Sequence, residues 1–150
     1  MDTSETYINQ CQKATEIQAA WQFDDGDFYQ DPDVQQKADE WVAEHQTRPI
    51  NTVVALCEMC NVKDSYGDVH VGEYTRSEYI WLPRQDQLQA MVPNVPWTDR
   101  PIWRLVESFA SFVMDLPVKG WSGQASMEQL WLALVMHQKY GKRWTGGEWA

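Results

Sequence analysis

Ser126-Met-Glu-Gln-Leu-Trp-Leu-Ala-Leu-Val-Met-His-Gln-Lys-Tyr140, followed by Gly141, is the stretch that decides the fold of this 150-residue chain. Its inner run, Leu130 to Met136, is apolar without interruption. Wound as an α-helix, such a run is apolar on every side, and it is stable only where neighbouring elements surround it. Ser126 and Gln129 have the spacing of a capping box at the helix start, and Gly141 provides the residue type that ends helices. A deeply buried last helix therefore predicts other helices packed around it.

The flanking sequence supplies them. From about Asp99 to Leu116, Ile102, Leu105, Val106, Phe109, Phe112, Val113 and Leu116 recur at helical spacing and predict one inner face. Upstream, Leu82-Pro83 introduces a helix through Val92 with Leu88, Met91 and Val92 facing one way, ended by Pro93 and Pro96. The tail, Lys142 to Ala150, carries Trp144 and Trp149 and is expected to fold back. Tyr79 to Trp149 is thus expected to form a compact, tryptophan-rich helical module.

Nearer the N-terminus, Ile8, Cys11, Ala14, Ile17 and Trp21 make one stripe on a helix from about Thr6 to Gln22. Asp31 is a good N-cap and Pro32 suits a first helical position, so a second helix follows, with Val34, Ala38, Trp41, Val42 and His45 as its inner face. The apolar run Ile50 to Cys60 leaves helix and strand open. The shared face of Val53, Leu56, Cys57 and Cys60 leans towards helix, while Val53-Val54 pulls towards strand. Val69 and Val71 alternate as in a short strand, which Tyr74 extends. The expected fold is mainly α, or α+β with a small sheet. A single domain over residues 1–150 is the simplest organisation, with a subdivision into an acidic segment, 1–75, and the helical scaffold, 79–149, as the alternative.

Net charge is −10 and the isoelectric point about 4.6. Residues 1–75 hold fifteen Asp/Glu against four Lys/Arg, and residues 76–150 seven against eight. That split argues against direct binding of a phosphate backbone, because repulsion replaces counterion release, and favours a basic protein partner. Nine tryptophans fit a core better than a stacking surface for nucleic acid or sugar. Three cysteines, no basic segment followed by an apolar one in Met1 to Gln10, and no apolar run of about 20 residues lead to the expectation of a cytoplasmic protein with no membrane partner.

Two groups of residues carry metal or binding chemistry in principle. Cys57 and Cys60, with His45 and His70, are the residue types of a tetrahedral zinc site, although cysteines within an apolar run more commonly pack as small hydrophobes. Asp24, Asp25, Asp27, Asp31 and Asp33 offer carboxylate oxygens, but lack the glycine and glutamate positions of an EF-hand loop; they read as a solvated acidic turn that can meet a partner. Arg84, Arg100 and Arg104 could form a small basic patch around Trp97 and Trp103 that holds single-stranded nucleic acid, but lone surface arginines beside helix starts are the more ordinary reading. There is no phosphate-binding glycine loop, nucleophile elbow or HExxH, no cofactor is expected, and the balance favours a binding protein over an enzyme. The alternative is a metal-dependent hydrolase or nuclease using the Asp24 to Asp33 carboxylates or Cys57 and Cys60.

Three blocks, Tyr79-Ile-Trp-Leu-Pro-Arg-Gln-Asp-Gln-Leu-Gln89, Ser126 to Met136, and Lys139-Tyr-Gly-Lys-Arg-Trp144 with the following Glu148-Trp149, resemble a family of small uncharacterised phage- and prophage-encoded proteins, as does Cys11 to Trp21. The resemblance implies a shared C-terminal scaffold carrying a variable middle, Phe23 to Ser77, and brings no catalytic residues. It also implies a place in the host cytoplasm, where phage accessory proteins often regulate or inhibit host systems. The expectation is a phage-type accessory protein acting through an acidic surface, as an inhibitor of a nucleic-acid-binding or defence machine. Its partner's identity and its oligomeric state are left open.

Overall fold

Ser126 starts the last helix as its sequence predicts: its backbone is extended and its hydroxyl accepts the N–H of Gln129 at 3.1 Å. The computed structural model describes residues 1–22, 27–45, 53–55, 79–92, 101–116, 121 and 125–150. Among these residues the elements are α1 (Glu5–Lys13), α2 (Thr15–Ala20), β1 (Phe28–Gln30), α3 (Pro32–His45), β2 (Val53–Ala55), β3 (Ile80–Leu82), α4 (Gln85–Met91), α5 (Pro101–Met114) and α6 (Met127–Tyr140). The fold is mainly α with a small sheet. It divides into two compact units, Met1–Thr15 with Pro83–Ala150, and Glu16–Leu82.

In the first unit α6 is the hub, packed by α1, α4 and α5. This is why its apolar run is tolerated on all sides: residues 131–136 are buried, and Leu132, Leu134, Val135 and Met136 are fully so. Each such side chain removed from water contributes about 1.5–3 kcal/mol. Phe109 of α5 stacks on Trp131, ring centroids 4.1 Å apart, and Phe112 stacks on His137 at 5.5 Å. Gly141 ends α6 in the left-handed region at φ 68°, where its N–H and that of Lys142 satisfy the last carbonyls, of His137 and Met136. The chain then turns back as a hairpin in which Arg143 and Ala150 exchange both backbone bonds and Trp144 faces Trp149. Trp149 Nε1 donates to the Gln10 carbonyl at 2.9 Å and Lys13 Nζ donates to the Gly147 carbonyl, so the tail is fastened to α1.

Three expectations are corrected. The stripe from Ile8 to Trp21 is not one helix: Ala14 leaves helical geometry, its N–H shared between the Gln10 and Cys11 carbonyls, so α1 and α2 are separate. The Gln129 side chain does not complete a capping box, because its amide donates instead to Asp2 Oδ2 and Ser4 Oγ. The stripe on α5 is only partly inward. Phe109 and Phe112 meet α6, whereas Ile102 is 76% exposed and Val106 50%, with Trp103 and Met114 also exposed. Sequence spacing gives the direction of a face but not the length over which a neighbour covers it.

In the second unit β1 is the central strand of a three-stranded antiparallel sheet ordered β2-β1-β3, with Tyr29 opposite Val54 on one side and Trp81 on the other. Within the Ile50 to Cys60 run, β2 corrects the lean towards helix at Val53–Ala55, where β-branched residues suit extended backbone; the rest of the run lies outside the described residues. β1 and β3 were not anticipated. The strand expected over Val69, Val71 and Tyr74 lies outside the described residues. The edge of β3 is closed by a side chain: Gln18 Oε1 accepts the Trp81 N–H at 2.8 Å and its Nε2 donates to the Trp81 carbonyl at 3.0 Å. A carboxamide thereby supplies both bonds that a further strand would supply. Trp21 stacks parallel to Trp81, centroids 5.8 Å apart.

Candidate functional site

The Asp31-Pro32 junction that starts α3 also sets the register of an acidic helix. Asp31 Oδ1 accepts the Asp33 N–H at 2.9 Å and its carbonyl accepts the Gln35 N–H at 3.0 Å, fixing the first turn. From there a 3.6-residue period places Asp33, Glu40 and Glu44 in one stripe, with Lys37 inside it and Trp41 beside it. Asp33, Lys37, Asp39, Glu40 and Glu44 are all exposed. Among the described residues no cation pairs with the four carboxylates; Gln35 and Gln36 donate to Asp39 and Glu40 at 2.7 and 2.8 Å, which orients them along the helix.

Trp41 was expected on the inner face of this helix and is 47% exposed; His45, expected beside it, is exposed too. The two rings stack at 4.4 Å, and His45 Nδ1 lies 2.9 Å from the Trp41 carbonyl. The i, i+4 spacing that looked like a buried stripe is a surface pair. Amphipathic spacing alone does not distinguish the two when the helix also carries charged residues between them.

Those of the residues singled out from sequence that are described, Asp27, Asp31, Asp33 and His45, differ in their surroundings. Asp27 is 1% exposed and turned inward, its Oδ2 accepting Trp21 Nε1 at 2.7 Å, so it belongs to the packing of its unit and not to an acidic surface. Asp31 is half-buried in its cap, and Asp33 is exposed. Asp24 and Asp25 lie outside the described residues, as do Cys57, Cys60 and His70; of that candidate zinc set only His45 is described, in its stack on Trp41. Among the described residues no three of His, Cys, Asp and Glu cluster so as to hold a metal ion. Arg84 pairs with Asp86 at 3.1 Å and Arg104 with Glu107 at 3.0 Å, while Arg100 and Trp97 lie outside the description.

The decisive observation is where the charge lies. Residues 16–82, the second unit, contain fourteen Asp/Glu against four Lys/Arg, a net −10; the first unit contains eight against eight, a net zero.

No family model, curated protein or solved structure matches this chain.

What the chain offers is therefore read from its own chemistry. Asp39, Glu40 and Glu44 were missed by a reading that stopped at the dense Asp24 to Asp33 cluster. The signal was present: carrying the helical period forward from the Asp31 cap places two of them on a stripe with Asp33. None of the described helices is long and apolar enough to cross a membrane.

Proposed function

We propose that this chain is a phage-type accessory protein of the host cytoplasm that acts by protein–protein interaction, presenting the acidic stripe of α3 to a basic partner. In its concrete form the partner is a nucleic-acid-binding machine, including a host defence complex, and binding inhibits it. The observation that carries this reading is the confinement of the entire net charge to one unit, with an exposed carboxylate helix on it. A row of unpaired carboxylates presents the sign of charge that a phosphate-binding surface is built to receive, and such complementarity speeds encounter and selects partners. Exposed Trp41 beside the stripe adds the large aromatic contact typical of interface centres.

The test is capture from host lysate with the wild-type chain and with a variant carrying Asp33→Asn, Asp39→Asn, Glu40→Gln and Glu44→Gln, followed by mass spectrometry and by competition with DNA. The expected result is a nucleic-acid-binding protein recovered by the wild type, released by added DNA, and depleted about tenfold or more with the variant. Equal recovery by both chains, or a partner indifferent to DNA, would sink the proposal.

A further inference from the structure

A pocket of about 250 Å³ in the first unit is lined by Glu5, Asn9 and Gln10 of α1, by Gln129 in the first turn of α6, and by Trp121 and Trp144. Its polar groups are unusually short of partners. Gln10 is 1% exposed, yet its carboxamide makes no hydrogen bond among the described residues and its Oε1 is sealed from solvent. Folded chains rarely leave such a group unsatisfied, because its lost hydration is not recovered. Among the described residues the Asn9 carboxamide is likewise unbonded, and Gln129 donates through Nε2 alone, to Asp2 and Ser4, with no bond to its carbonyl oxygen. Glu5 has no ion-pair partner among the described residues. Apart from Gln10 and Gln129, the polar lining is open to solvent to varying degrees, and Trp121 is half-buried.

The chemistry of this lining narrows the ligand. Among the described residues no Lys or Arg lines the pocket, and Glu5 repels a phosphate or carboxylate. A guanidinium or ammonium has donors but no acceptor, and would leave the amide N–H groups of Asn9 unmet. A ring bearing several hydroxyls satisfies both kinds of group, because each hydroxyl donates one hydrogen and accepts at its oxygen. The C–H face of such a ring is apolar and packs on an indole. The volume falls just below the usual range of ligand pockets, about 300–1,000 Å³, which suits one ring and not an extended chain.

We propose that this pocket binds one neutral monosaccharide unit, held by the carboxamides of Asn9 and Gln129 and the Glu5 carboxylate against the indole of Trp121. The proposal is independent of the acidic helix, which lies in the other unit.

It is tested on the full chain by NMR, following the indole N–H signals of Trp121 and Trp144 and the side-chain amides of Asn9, Gln10 and Gln129. The probes are methyl glucoside, methyl galactoside, methyl mannoside and methyl N-acetylglucosaminide, with adenosine and N-acetyl-arginine amide as rivals. The expected result is saturable shifts with at least one glycoside at a Kd of about 1 mM, weakened about tenfold or more by Asn9→Ala and by Trp121→Ala. Binding should be unchanged in the variant neutralised on α3, which separates this outcome from the fate of the partner-binding proposal. If Trp121→Ala disturbs the rest of the spectrum, Glu5→Gln replaces it, with the same expected loss. The matching disaccharides distinguish sources: a glycan-end unit binds with equal or greater affinity when extended, whereas a site for the free sugar loses affinity. Absence of saturation with every glycoside, affinity untouched by the substitutions, or preferential saturation by adenosine or the arginine derivative would overturn the proposal.

Discussion

Asp2 ties two helix starts together. Its Oδ1 accepts the N–H of Ser4, the cap of α1, and its Oδ2 accepts Ser126 Oγ at 2.6 Å and Gln129 Nε2 at 2.9 Å, at the cap of α6. Partial burial pushes its carboxyl up, but the hydrogen bonds from Ser126, Ser4 and Gln129 outweigh this and hold it below the ordinary carboxylate range. The unfolded chain therefore binds the proton more readily than the folded one. The resulting stability is present above the unfolded value, about 3.9, and is lost as pH falls through the lower folded value. Asp2→Asn is expected to lower stability by about 1 kcal/mol at pH 7, discounted for partial exposure, and the difference should shrink as pH drops below about 3. Urea midpoints of both chains across that range check it; a gap that stays constant with pH would contradict the assignment. Cys11 gives a second test. It is fully buried, and burial pushes its thiol well above the usual range, so almost no thiolate is available. Alkylation of the native chain at pH 8 followed by peptide mapping should leave Cys11 unmodified until denaturant is added. Labelling in the native state at the denatured rate would show the residue to be accessible.

At the scale of elements, the bounds and burial of α6 were legible because what sets them is local, the Ser126 cap, the apolar run and Gly141, whereas the turn of Gln129 towards Asp2 and Ser4 was not. A side chain added at Gly141 meets nothing within 4 Å, so the cost of Gly141→Ala is that of the left-handed backbone alone. About 1–2 kcal/mol is expected, read as a shift in denaturation midpoint. The α5 stripe was legible in period but not in extent, and this yields a paired prediction. Phe109→Ser, which removes the ring stacked on Trp131, should destabilise by about 2 kcal/mol or more. Ile102→Ser, on the same stripe but exposed, should change stability by no more than about 0.5 kcal/mol. Equal losses would restore the continuous inner face that the spacing implies. The strands were harder to see. β1 and β3 have three residues each, too few for alternation to emerge, and the bonds closing β3 come from Gln18, more than sixty positions away. Asp27 was misplaced for a similar reason: a carboxylate within an acidic run looks solvated, and only its bond to Trp21 Nε1 reveals it as internal.

For the whole molecule, the charge asymmetry read along the sequence becomes sharper when residues are assigned to units. A cut near residue 75 leaves a residual charge in both halves, whereas the structural division gives −10 and zero. The gain comes from moving Asp2 and Glu5 with α1 beside α6, a grouping made by long-range packing that no local pattern encodes. Neither unit then has the net positive charge from which nucleic-acid binding draws its counterion release. The chain is accordingly expected to cause no mobility shift of single- or double-stranded DNA at about 0.15 M salt. Its complex with a basic partner should show the opposite behaviour, forming faster as salt is lowered and dissolving when DNA is added. Neutralising the α3 carboxylates should reduce the low-salt association rate towards its value at about 0.5 M salt, leaving the high-salt rate nearly unchanged, because screening has already removed the steering there. Stopped-flow association with the captured partner measures both rates. A variant slowed equally at every salt concentration would place those residues in direct contact energetics and not in long-range attraction, while DNA retention by the chain alone would remove the electrostatic argument altogether.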